Sequence, residues 1–117
     1  MKRQVTIAVL AALAAATTGA HADVVGDAKA GQGKVAACIG CHGIADYRTA
    51  YPEVYRVPKL GGQNARYLET ALQAYKKGGR KFQTMHANAV SLSDQDIADI
   101  AAYYSAQTPA TPNNPNK

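Results

Sequence analysis

The only two cysteines of this 117-residue chain stand three positions apart, in Cys38-Ile39-Gly40-Cys41-His42. A chain this short supports one domain at most and builds only a marginal hydrophobic core without a staple. A disulfide between near neighbours would close a tiny loop and restrain little of the unfolded chain. The spacing therefore points to a ligand, since a large buried group would supply the apolar surface that the chain lacks. The available core is smaller still if the first 22 residues are removed. Lys2 and Arg3 precede an apolar run from Val5 to Ala16, and Ala20-His21-Ala22 reads as an A-x-A cleavage site. This is the layout of a secretory signal peptide. The competing reading is a retained membrane anchor. A 12-residue helix rises only about 18 Å against a hydrocarbon core of about 30 Å. No later stretch is apolar enough to span a bilayer.

Cys38-x-x-Cys41-His42 is the attachment sequence for c-type haem. Cysteines one helical turn apart can each capture a vinyl group as a thioether, and the adjacent His42 offers an imidazole to the iron as proximal ligand. Three alternatives stand beside this reading. A thioredoxin-like redox pair needs a βαβ context, and no strand pattern is visible. A zinc site needs four ligands, and only Cys38, Cys41, His42 and His86 could supply them. A plain disulfide leaves His42 without a role. His21 and Met1 leave with the leader, so the second axial ligand comes from a short list. Met85 is the preferred candidate and His86 the rival; bis-His ligation would be expected to give the lower potential. A five-coordinate iron would instead suit gas binding.

Helical periodicity appears in three places. The first, about 27–37, starts at a candidate N-cap, Asp27, and contains Gly31 and Gly33, each costing about 1 kcal/mol of helix propensity relative to Ala. The second, about 63–77, carries Leu68, Leu72 and Tyr75 on one face, with Lys76 and Lys77 in its last turn and Gly78-Gly79 as its stop. The third, about 93–107, has Ser93 as N-cap, Asp94 and Asp96 in its first turn, and an apolar stripe of Ile97, Ile100, Ala101 and Tyr104. Residues 43–62 and 78–92 read as loops, and 108–117, rich in Pro and Asn, as a disordered tail. The expected domain is therefore 23–107, with an all-α fold of three main helices wrapped around one haem.

Over Gly26 to Gln107 the chain resembles the class I c-type cytochromes, in particular the small bacterial c-553 type and the single-haem halves of cytochrome c4. The resemblance rests on Gly26-Asp27-Ala28, Ala30-Gly31-Gln32-Gly33-Lys34-Val35, Cys38-x-x-Cys41-His42-Gly43 and Pro58-Lys59-Leu60-Gly61-Gly62-Gln63. It continues through Tyr67-Leu68, Thr84-Met85, Leu92-Ser93-Asp94-x-Asp96-Ile97 and Ala101-Ala102-Tyr103-Tyr104. It implies that the first and last helices cross with Gly31 at the crossing, facing the Tyr103-Tyr104 end. It also implies that the Pro58 carbonyl accepts from the non-ligating nitrogen of His42 and fixes the ring. Two departures stand out. Gln83 occupies a position where relatives often carry proline. Residues 46–56 are richer in Tyr and Arg than the usual loop, which suits propionate contacts, a docking surface or ordinary loop packing.

The expected function is electron transfer by a periplasmic single-haem carrier, without enzymatic activity of its own. The alternatives are a dedicated haem subunit of a periplasmic dehydrogenase and a haem-based gas binder. Loss of Lys2 and Arg3 lowers the formal net charge of +5 by two, and that modest balance is no nucleic-acid signature. Lys76, Lys77, Arg80 and Lys81 form a basic cluster expected to surround an exposed haem edge and steer redox partners with acidic docking surfaces.

Overall fold

Asp27 opens the first helix with extended backbone and a side chain that accepts from the N–H groups of Lys29 and Ala30. The computed structural model describes residues 23–108, 110 and 111; the expected leader, and the tail beyond 111, lie outside them. Among the described residues no helix is long and apolar enough to cross a membrane. Helix α1 is Ala28–Gln32, α2 Ala36–His42, α3 Ala65–Lys76, α4 Gln83–Ala89 and α5 Asp94–Ser105. Two strands, β1 (Arg48–Thr49) and β2 (Tyr55–Arg56), pair antiparallel with Arg48 opposite Arg56.

The expectation of one helix over 27–37 needs correction. The chain turns at Gly33, which caps α1, and restarts at Val35, whose side chain is buried in the core. The break frees α2 to take its own direction and puts the whole Cys38–His42 motif on a separate helix. Among the described residues there are five helices, where three main ones were expected. Helix α4 occupies a segment read as loop, and the two-residue strands occupy another.

The remaining elements follow their local chemistry. The Asn64 side chain accepts from the Tyr67 N–H and starts α3. Gly78, with φ of +79°, ends it in the left-handed conformation that glycine tolerates. Ser93 and Asp96 cap α5 reciprocally: the Ser93 hydroxyl accepts from the Asp96 N–H, and the Asp96 carboxylate from the Ser93 N–H.

Helix α5 is the central pillar, packed against α1 on one side and α3 on another. Val35, Leu68, Ile100, Ala101 and Tyr104 form the core, with Cys38, Ile39, Leu60 and Leu72 packed onto it. At the α1–α5 crossing, a Cβ on Gly31 would overlap the Asp99 carbonyl and lie 2.8 Å from the Tyr103 Cβ. The expected crossing at Gly31 is thus present, centred on Asp99 and Tyr103. Asp99 itself is only 2% exposed. Its Oδ1 accepts from the Asp27 N–H and from Gln95, both at 2.8 Å, and its Oδ2 from the Lys34 ammonium at 2.7 Å. The same ammonium lies 2.7 Å from Asp96. A buried charge is tolerated here because every donor it needs is in place.

Candidate haem-binding site

Helix α2 places Cys38 and Cys41 one turn apart, so both project from the same side of the helix. Both are free thiols. Burial pushes the Cys38 thiol above its ordinary pKa, against the opposing effect of Tyr104. His42 follows in the last turn, and its Nδ1 lies 2.7 Å from the Pro58 carbonyl oxygen. A carbonyl can only accept, so Nδ1 carries the hydrogen and Nε2 keeps its lone pair. Burial lowers the imidazole pKa, outweighing the Pro58 contact that raises it. Both features suit a neutral nitrogen ligand.

These residues open onto a cavity of about 540 Å³. Its volume lies within the range of about 300–1,000 Å³ usual for cofactor pockets. Four helices and the Tyr/Arg-rich segment contribute to its walls. Helix α2 contributes Cys38, Cys41 and His42, and α4 contributes Thr84, Met85 and Asn88. Leu68, Leu72 and Tyr75 come from α3, and Ile100 and Tyr104 from α5. The Tyr/Arg-rich segment supplies Thr49 and Tyr55, followed by Val57 and Pro58. Within that segment Thr49 Oγ1 accepts from the Tyr55 N–H and donates to the Glu53 carbonyl, which ties the hairpin to itself. The Tyr55 ring packs against Phe82 at 5.1 Å between centroids.

The two candidates for the second axial position separate in space. Met85 lines the cavity and is partly buried. His86, the next residue on α4, is exposed and holds the Tyr75 carbonyl through Nδ1 at 2.7 Å. Among the described residues no three His, Cys, Asp or Glu side chains converge on a metal-sized site, so the zinc alternative has no geometry to support it.

The basic cluster is also divided. Lys76 donates to the Leu92 carbonyl at 2.6 Å and lies 3.5 Å from Asp94, tying α3 to the start of α5. Lys77 caps α3 and is exposed. Only Arg80 and Lys81 line the cavity. The Arg80 guanidinium lies over two rings, 5.3 Å from the centroid of Tyr75 and 5.7 Å from that of Tyr67. It donates to the Tyr67 hydroxyl at 3.3 Å, the leading cause of its raised pKa. Cation–π contacts at this range hold the charge at the cavity wall. From sequence, Arg80 belongs to the basic cluster expected at an exposed haem edge, and Tyr104 to the apolar stripe and the helix crossing. Nothing in their spacing signalled that both face the cavity.

Two sulfur nucleophiles, a neutral imidazole and a thioether, set around apolar walls, fit a covalently attached haem. Comparisons agree. A Cytochrome c family model matches residues 28–106. Cytochrome c-554(548) of Halomonas halodenitrificans is 49% identical over 85 residues, covering 70% of this chain and 98% of the relative. Cytochrome c4 of Stutzerimonas stutzeri is 48% identical over 97 residues, covering 75% of this chain and 43% of the relative. The crystal structure of reduced recombinant cytochrome c4 from Pseudomonas stutzeri superimposes with a TM-score of 0.58 at 47% identity, over 72% of this chain and 47% of that one. The chain therefore spans less than half the length of these cytochrome c4 relatives, but nearly all of cytochrome c-554(548). With a helical fold, a C-x-x-C-H helix and a cofactor-sized cavity in place, the chain belongs to the cytochrome c family and its cofactor is covalently bound haem c.

Proposed function

We propose that the protein is a periplasmic electron carrier in which Cys38 and Cys41 hold one haem c covalently while His42 and Met85 ligate its iron. The supporting observation is that His42 from α2 and Met85 from α4 line one cavity, whereas His86 is exposed and outside its lining. Haem c supplies a one-electron iron couple. The chain's part is to keep ligand positions nearly unchanged between oxidation states. Pro58 O fixes the His42 ring. Met85 is the third residue of helix α4 rather than part of a free loop. Leu68 and Leu72 of α3 and Ile100 of α5 give the cavity apolar walls. Export is supported by the leader-like first 22 residues and by the attachment motif itself, and periplasmic fractionation checks it.

The test is Met85→Ala in protein matured by a host competent for haem attachment. The expected result is retained covalent haem, loss of the weak far-red band of oxidised His/Met haem, and a lower potential. An unchanged iron spectrum would exclude Met85 as ligand. A second reading is a dedicated subunit of a dehydrogenase. It is favoured by a likeness to the cytochrome subunit of sulfide dehydrogenase from Chlorobaculum tepidum, 31% identical over 67 residues and 57% of this chain. Co-purification from the native source separates the two, because a free shuttle migrates as a monomer.

A further inference from the structure

Tyr104 forms part of the cavity wall and of the core at once. The residue is 2% exposed, and its ring meets Tyr103 edge-on at 5.1 Å between centroids. Its hydroxyl is buried and makes no hydrogen bond in this structure. An unpaired buried hydroxyl costs about 1–3 kcal/mol, so phenylalanine would fill the same space at less cost. Cys38 packs against the core cluster that contains Tyr104, and both residues line the same cavity. After burial, the largest influence on the pKa of each group is the other.

A thiol and a thioether differ in what they ask of a neighbour. When a thiol adds across a vinyl group, sulfur bonds to one carbon and the S–H hydrogen passes to the other. The sulfur is left with lone pairs and no proton, and no external oxidant or reductant is consumed. It can then only accept.

We infer that the Tyr104 hydroxyl donates a hydrogen bond to the Cys38 sulfur in its thioether form, making Tyr104 a positioning residue that favours the reduced protein. This rests on the assignment of Cys38 as an attachment cysteine. The direction follows from electrostatics: a donor aimed at the edge of the haem system stabilises the electron-richer state.

Tyr104→Phe in the haem-loaded protein provides the test, with Tyr103→Phe as control because Tyr103 does not line the cavity. Intact mass first establishes whether haem is covalently attached. With haem attached, Tyr104→Phe is expected to shift the oxidised-to-reduced ratio at a fixed solution potential about threefold towards oxidised. It should also move the carbon–sulfur stretching bands in the resonance Raman spectrum and lower the unfolding midpoint. Tyr103→Phe should leave the ratio and those bands unchanged. If Tyr104→Phe keeps the parental ratio and bands and is as stable or more so, the hydroxyl is an orphan and the inference falls while the haem site stands. If intact mass shows that Cys38 carries no haem, both fall together.

Discussion

At position 31 two helices approach so closely that any side chain is an obstruction. A methyl group there would overlap the Asp99 carbonyl and crowd Tyr103. Gly31→Ala should therefore destabilise by about 1–3 kcal/mol, the usual cost of forcing volume into a packed contact. Gly33 is the internal control. Its φ is −73°, and a Cβ would meet only the Ala30 carbonyl at 3.5 Å. Gly33→Ala should be neutral or stabilising by up to about 1 kcal/mol, because it removes freedom from the unfolded chain. Urea midpoints of the two haem-loaded variants check the pair. The same crossing shows where residue-level reading stops. Gly31 was legible through the resemblance, and Ile97, Ile100 and Ala101 through periodicity. Asp99 was not, because a carboxylate on a helix reads as solvated until the donors that bury it are known. Those donors, Asp27 N–H and Lys34, lie 72 and 65 positions away.

Between elements, the Lys34 ion pairs clamp the turn between α1 and α2 to α5 and shape how stability responds to pH. Asp99 is held below its ordinary pKa chiefly by the Lys34 ammonium, then by the Asp27 N–H and Gln95. Asp96 is held low by Lys34 and Ser93. Carboxyls depressed in the folded state contribute stability that is complete above their ordinary value and is lost as pH falls through the folded one. The clamp should therefore hold from neutrality down to about pH 4 and fail progressively below it. Lys34 is raised by Asp96 and Asp99, so its contribution is complete below its ordinary value and is lost only as pH rises through the raised one. Asp99→Asn should lower the melting temperature at pH 7 and flatten its fall below pH 4, which thermal scans against pH will show. Element boundaries were legible where caps announce them. Ser93 with Asp96 marked α5, and Gly78 marked the end of α3. Helix α4 has no capping side chain, since Phe82 stands at its start, and only Ala89 is buried. The strands are two residues long, below any alternation a sequence can display.

Across the whole molecule, the charge that faces a partner is smaller than the sequence cluster suggests. Lys76 is engaged with α5, so the proposed steering set is Arg80 and Lys81 at the cavity wall with Lys77 exposed at the end of α3. Electron exchange with an acidic partner should slow several-fold as ionic strength rises. Lys77→Gln with Lys81→Gln should lower the low-salt rate and merge with the parent at high salt. Stopped-flow rates against salt test this, and a flat profile removes the steering argument. The hydrogen bond from His42 to position 58 carries a different kind of consequence. Its acceptor belongs to the main chain, so no exchange of side chain at position 58 deletes it. Drift in the gene can remove this acceptor only by rerouting the polypeptide around the imidazole. Insertions and deletions between β2 and α3, rather than point changes at position 58, are therefore the natural dial for this contact.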